Sequence, residues 1–168
     1  MRVKVGQLLG QTVFYTAFIA FIGYFATSPA YTYVDPASAV ITLSFGHAGE
    51  RQSECRRLTP EEIAALAPNM RRPMDCPRGR VSLFVELELD GELLYRASLE
   101  PSGFAGDGAS SVYERFVVSP GRHRLTARLR DSRREEGFDY ELRKDVVLVS
   151  GRHLVVDFRA DTGGFKFL

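Results

Sequence analysis

Apolar positions follow two different patterns along this chain. From Val5 to Val34 no residue is charged, and the stretch from Leu8 to Ala26 is densely apolar. After Asp35 the apolar residues alternate with polar ones in short runs. The first pattern predicts one membrane-spanning helix, because about 20 consecutive apolar residues cross a bilayer. The second predicts strands with one buried face, because successive strand side chains point to opposite sides.

The alternating runs are specific. Ile41, Leu43 and Phe45 alternate with Thr42 and Ser44. Val81, Leu83, Val85, Leu87 and Leu89 alternate with Ser82, Phe84, Glu86 and Glu88. Asp90-Gly91 then separates that run from Glu92–Leu99, and an Asp-Gly pair between strand-like runs predicts a hairpin, since both turn positions need positive φ. Further strands are expected at Val112–Val118, Arg122–Arg130, Phe138–Leu142, Val146–Val149, Leu154–Phe158 and Phe165–Leu168. One short helix interrupts them. Thr59-Pro60-Glu61-Glu62 supplies an N-cap, a Pro at the first helical position and a capping-box Glu, and Pro68 ends the segment.

Many short strands punctuated by Gly, Pro and Asp predict a β-sandwich. The phrase from Ser119 to Asp131, a turn followed by an alternating strand and a terminal Asp, resembles the late hairpins of immunoglobulin-like periplasmic sandwiches. That resemblance covers a few dozen residues and implies fold only. The expected architecture is therefore mainly β. A single transmembrane helix with its cytoplasmic stub occupies residues 1–34. An immunoglobulin-like antiparallel β-sandwich occupies 35–168, with a helical insertion at about 55–76.

Charge orients the expected anchor. Arg2 and Lys4 precede the span, and the next basic residue after it is Arg51. The positive-inside rule then places the N-terminus in the cytoplasm and the bulk of the chain in a bacterial periplasm, with the span in the inner membrane. Tyr31 and Tyr33 fall where an outer aromatic anchor would lie. The rival is a cleaved signal peptide, for which Ser28-Pro29-Ala30 offers small residues. The length of the apolar region and the Pro inside that site favour a retained anchor.

The expected helix has an ordered surface. Gly6, Gly10, Val13, Ala17 and Ala20 recur at spacings of four and three and form one stripe of small residues. Phe14, Phe18, Phe21 and Phe25 repeat the rhythm one position along. Small residues let a second helix approach closely in lipid, where no hydrophobic effect drives association. These nine residues are the expected docking face. Ordinary lipid-facing filler is the alternative.

Composition changes this picture little. Of 22 Lys+Arg, two precede the span, which leaves 20 against 21 acids beyond it. That near-neutral balance argues against nucleic acid as a partner. The doublets Arg56-Arg57, Arg71-Arg72 and Arg133-Arg134 read as solvated surface, with anionic lipid as the alternative.

Candidate chemistry is sparse. Cys55 and Cys76 form an isolated pair, which in an oxidising compartment predicts a disulfide around the short helix. Soft metal ligands are limited to those two cysteines, Met70, Met74, His47, His123 and His153. They lack the tight clusters expected of a copper site, and the methionines read as gap fillers in the insertion. Gly103–Gly108 is Gly-rich, but no helix follows it to bind a phosphate. It reads as a surface loop carrying Phe104. No nucleophile elbow, zinc-protease, phosphate-loop or haem-attachment motif occurs. The expectation is a protein with no catalytic residues, no metal and no cofactor, serving as an accessory subunit of a larger inner-membrane complex such as an electron-transfer assembly. Its expected contacts are that complex and the lipid bilayer. One alternative is an anchored assembly factor or copper chaperone. The other is a periplasmic ligand-binding module, for which Tyr95, Phe104, Tyr113 and Tyr140 would supply the aromatic platform.

Overall fold

A computed structural model describes residues 5–28 and 32–168. Arg2 and Lys4, on which the orientation reading rests, lie outside the described residues, as do Pro29, Ala30 and Tyr31. The chain divides into two compact units, Met1–Asp35 and Pro36–Leu168.

The first unit carries one helix, α1 (Val5–Thr27), in which no residue is buried. At 1.5 Å per residue its 23 residues extend about 35 Å, against a hydrocarbon core of about 30 Å. It is long and apolar enough to cross a membrane, a property shared with signal sequences. The Thr12 and Thr27 hydroxyls donate back to the Leu8 and Gly23 carbonyls at 3.0 and 3.1 Å, so neither is left unbonded in an apolar surrounding.

The second unit is mainly β. The strands of its two main sheets are β1 (Ala39–His47), β4 (Leu83–Leu89), β5 (Glu92–Leu99), β6 (Ser110–Val118), β7 (Gly121–Arg130), β8 (Tyr140–Leu148), β9 (His153–Arg159) and β10 (Gly164–Phe167). Two four-stranded sheets, ordered β10-β9-β1-β6 and β5-β4-β7-β8, face each other in a sandwich-like arrangement. Every neighbouring pair is antiparallel except β1 and β9, which run parallel. The core between the sheets comes from alternate positions: Ile41 and Leu43 on β1, Val85 and Leu87 on β4, Leu125 and Leu129 on β7. Each is fully buried, and each such side chain contributes about 1.5–3 kcal/mol relative to exposure. The Asp90-Gly91 hairpin forms as the sequence predicts, with φ of +55° and +87°.

The stretch Phe138–Leu142 and Val146–Val149, expected as two strands, is one continuous strand, β8. Arg143-Lys144-Asp145 breaks the apolar alternation without breaking the backbone ladder to β7. A sheet edge tolerates this because half its side chains reach water.

The long edge strands share a device. Glu114 on β6 pairs with buried Leu43, and Lys144 on β8 pairs with buried Leu125. Both charges therefore fall at inward-facing register positions, and both stay exposed. An inward-pointing charge on an edge strand opposes pairing with another strand. β5 carries a register break opposite Leu87/Glu88, and β10 is only four residues long.

The insertion leaves the far end of β1. Arg56–Arg57 (β2) pairs with Met74–Asp75 (β3) beside α2 (Pro60–Ala65). Thr59 and Glu62 form the expected capping box, with Thr59 N–H to Glu62 Oε2 at 2.8 Å and Glu62 N–H to Thr59 Oγ1 at 3.3 Å.

Candidate functional site

Helix α1 places the nine expected docking residues on two adjoining stripes. None is covered by the chain's own residues. A Cβ on Gly6 or Gly10 would meet nothing within 4 Å, so no contact among the described residues requires glycine there. Glycine costs a helix about 1 kcal/mol relative to alanine. Along the aromatic stripe, Phe14 stacks on Phe18 at 6.1 Å between ring centroids, and Phe21 tilts against Phe25 at 4.7 Å. The rings form two contacting pairs along this stripe on the outside of the helix.

Cys55 and Cys76 are joined as a disulfide, which ties the two ends of the insertion together. Arg56 reaches from this ribbon to Glu62 at 2.8 Å, and Arg72 pairs with Asp75 at 2.6 Å. The Glu62 carboxyl is held below its usual range by the Thr59 backbone N–H and by Arg56. Met70 and Met74 do not pack the insertion: both are exposed. The insertion supplies no residue to the sandwich core, so it offers them no apolar interior. All three Arg doublets lie in or beside this region. Arg133 pairs with Glu50, just beyond the end of β1, and Arg134 pairs with Asp139. The doublets therefore cluster at the end of the sandwich opposite the one where the chain enters from Pro36.

The histidines are dispersed. Among the described residues no group of three or more His, Cys, Asp or Glu could hold a metal ion. His47 Nε2 contacts Asp131 Oδ2 at 2.8 Å, with its ring edge-on to Phe158. Nearby, burial pushes the Asp139 carboxyl up. Hydrogen bonds from Ser132, the Asp131 N–H and the Arg134 charge outweigh that and hold it below its usual range. His153 is exposed on β9. The proposed aromatic platform is not assembled either. Tyr95 and Tyr140 pack against the core, whereas Phe104 and Tyr113 are exposed.

Phe104 sits on an ordered turn. Gly108 N–H donates to the Ser102 carbonyl at 2.9 Å, and Arg80 donates to the Gly106 and Asp107 carbonyls at 3.0 and 3.1 Å. Gly103 and Gly106 take φ of +88° and +59°, which explains their glycines.

One depression, of about 640 Å³, opens where the chain enters the sandwich. Arg122, Arg124 and Thr126 of β7 line it with Arg143 and Asp145 of β8 and Glu88, Asp90 and Gly91 from the β4–β5 hairpin. Strand alternation puts the even residues of β7 and the odd residues of β8 on this outer face. The acids are already engaged. Glu88 meets Arg128 at 2.7 Å and Asp145 meets Arg124 at 2.9 Å. Asp90 meets His123 at 2.6 Å and accepts from the Arg124 N–H at 2.7 Å. Sequence reasoning missed this group because its members come from three strands, and each looks like solvated surface alone.

No protein-family model matches the chain, and comparison with curated proteins and with solved structures finds no match.

Proposed function

We propose that this protein is a non-catalytic, single-pass accessory subunit of a larger inner-membrane complex, respiratory or photosynthetic electron transfer being the class of host. Its helix docks in the bilayer and its β-sandwich braces the periplasmic face, with the N-terminus cytoplasmic. The observation that carries this reading is α1: a 23-residue apolar helix with no buried residue, whose glycines Gly6, Gly10 and Gly23 serve no packing among the described residues. Lipid covers such a surface, and close helix–helix contact makes use of the small stripe. The disulfide supports an oxidising compartment for the second unit. The immunoglobulin-like assignment belongs to this proposal, supported by chain crossings between the two four-stranded sheets after β1 (through the insertion), β5, β6 and β8.

The test is substitution on the helix. Gly10→Leu or Ala17→Leu fills the stripe and releases the protein from its host while leaving it in the membrane. Unchanged co-purification of both variants sinks helix docking. A second reading, an anchored assembly factor or copper chaperone, draws on the exposure of Met70 and Met74 beside the disulfide. Copper retained by the reduced protein and lost in Met70→Leu/Met74→Leu would favour it.

A further inference from the structure

The insertion contains a two-stranded ribbon with a fixed register. Arg56 pairs with Asp75, and Arg57 with Met74. The Leu58 N–H donates to the Pro73 carbonyl at 3.0 Å, which extends the same register away from the sandwich. Extended the other way, it sets Cys55 opposite Cys76, where the Cα atoms lie 4.2 Å apart. Side chains alternate between the two faces of a strand. Cys55, Cys76, Arg57 and Met74 therefore stand on one face of the ribbon, and Arg56 and Asp75 on the other. That other face is closed by ion pairs, Arg72 with Asp75 at 2.6 Å and Arg56 with Glu62 at 2.8 Å.

Sequence spacing hides this group, because 21 residues separate the cysteines. The ribbon gathers two cysteine sulfurs and a thioether at neighbouring same-face positions. Met74 lies two residues from Cys76, about 7 Å along the strand. Its unbranched, flexible side chain spans such a gap. Cys55 is exposed, Cys76 is half-buried and Met74 is 40% exposed, so reagents reach all three. No insertion residue joins the sandwich core, so the sulfurs can change partners without disturbing it. Met70 ends a separate turn, Pro68–Met70, off the ribbon.

We propose that Cys55, Cys76 and Met74 bind one Cu(I) ion once the disulfide is reduced. Thiolate and thioether sulfurs are soft donors that select Cu(I). Among the described residues no His, Asp or Glu joins the two cysteines in a group suited to a harder ion. A dithiol supplies the two electrons and two protons that convert the disulfide to two thiols, and itself becomes a disulfide. The ion then displaces both thiol protons to solvent. Two thiolates and Cu(I) carry one net negative charge, which Arg57 on the same face offsets. The ion ties the ribbon where the disulfide tied it before. In the oxidised chain the cysteines are bonded to each other, so binding follows redox state. The inference deepens the copper reading above and rests on it, naming its ligands and leaving Met70 out. Docking of α1 is independent of it.

The test uses the full chain in detergent micelles, reduced with a phosphine and titrated without oxygen against Cu(I) held by a chromogenic chelator. The expected result is one ion per chain, with X-ray absorption at the copper edge showing three sulfur neighbours. Met74→Leu, at an exposed site that leaves folding intact, drops one sulfur and weakens binding by roughly 10- to 100-fold. Met70→Leu changes neither. Cys55→Ser/Cys76→Ser abolishes binding. Amide exchange across residues 55–76 rises on reduction and falls again when copper enters. Unchanged affinity and sulfur count in Met74→Leu, or copper kept by the double Cys variant, overturns this site and leaves the copper reading standing. Equal binding by the oxidised chain overturns it in the same way. A reduced chain that takes up no Cu(I) overturns the site and the copper reading together.

Discussion

Asp90 and His123 are 33 residues apart in sequence, yet the Asp90 carboxylate lies 2.6 Å from His123 Nδ1. The other ring nitrogen lies 3.1 Å from the Ser119 carbonyl. A carboxylate and a carbonyl both only accept, so both contacts are hydrogen bonds only when the ring carries two protons. The second Asp90 oxygen accepts from the Arg124 N–H. One side chain at a hairpin tip thus fastens the β4–β5 turn to the start of β7.

That tie has a defined pH dependence. The Arg124 N–H, then His123, hold the Asp90 carboxyl below its usual range. A carboxyl depressed on folding contributes stability above its unfolded value, about 3.9, and loses it as pH falls through the folded one. Exchange protection at the Arg124 amide should therefore persist down to about pH 4 and fail below it. Asp90→Asn should lower protection at neutral pH and flatten the acid transition. An unchanged profile in Asp90→Asn would show that the contact has no such role.

The edge charges predict an association phenotype. Replacing Glu114 or Lys144 with Val removes an inward-pointing charge from a nine-residue edge strand. Both variants should fold and then self-associate with rising concentration, measured by sedimentation in detergent. If both remain as dispersed as the parent protein, the edges are protected by something else.

Core and insertion should respond separately. Leu87→Ala empties a fully buried position and should destabilise the β-unit by about 2–5 kcal/mol, read from denaturant unfolding. Val147→Ser, at an exposed site, should change stability little.

Removing the disulfide with Cys55→Ser/Cys76→Ser should cost the insertion about 3 kcal/mol in the loop-entropy model. Because no insertion residue joins the core, exchange should rise across 55–76 and stay unchanged in β4 and β7. Thr59→Ala should act in the same direction, by about 1 kcal/mol, through loss of the α2 cap.

The strands most legible in the sequence are those with one face fully buried. Leu83–Leu89 and Arg122–Arg130 alternate cleanly because each lies inside its sheet with neighbours on both sides. β8 was split by the pattern because it is an edge, where Lys144 occupies a register position that an interior strand would give to an apolar residue. The Asp90-Gly91 turn and the α2 capping box were readable because their chemistry is local. Met70 and Met74 were misjudged, since residue type says apolar while their surroundings supply nothing to pack against. The entry-end depression was invisible because strand pairing, not sequence spacing, brings Asp90, Arg122 and Asp145 together.

Docking of α1 on a membrane partner is tested by gentle detergent extraction of the native protein, followed by sizing and mass spectrometry of what travels with it. The expected result is a stoichiometric complex with an integral membrane protein that Gly10→Leu disperses. Migration of the native protein as a lone monomer, under conditions that leave other membrane complexes intact, would contradict it.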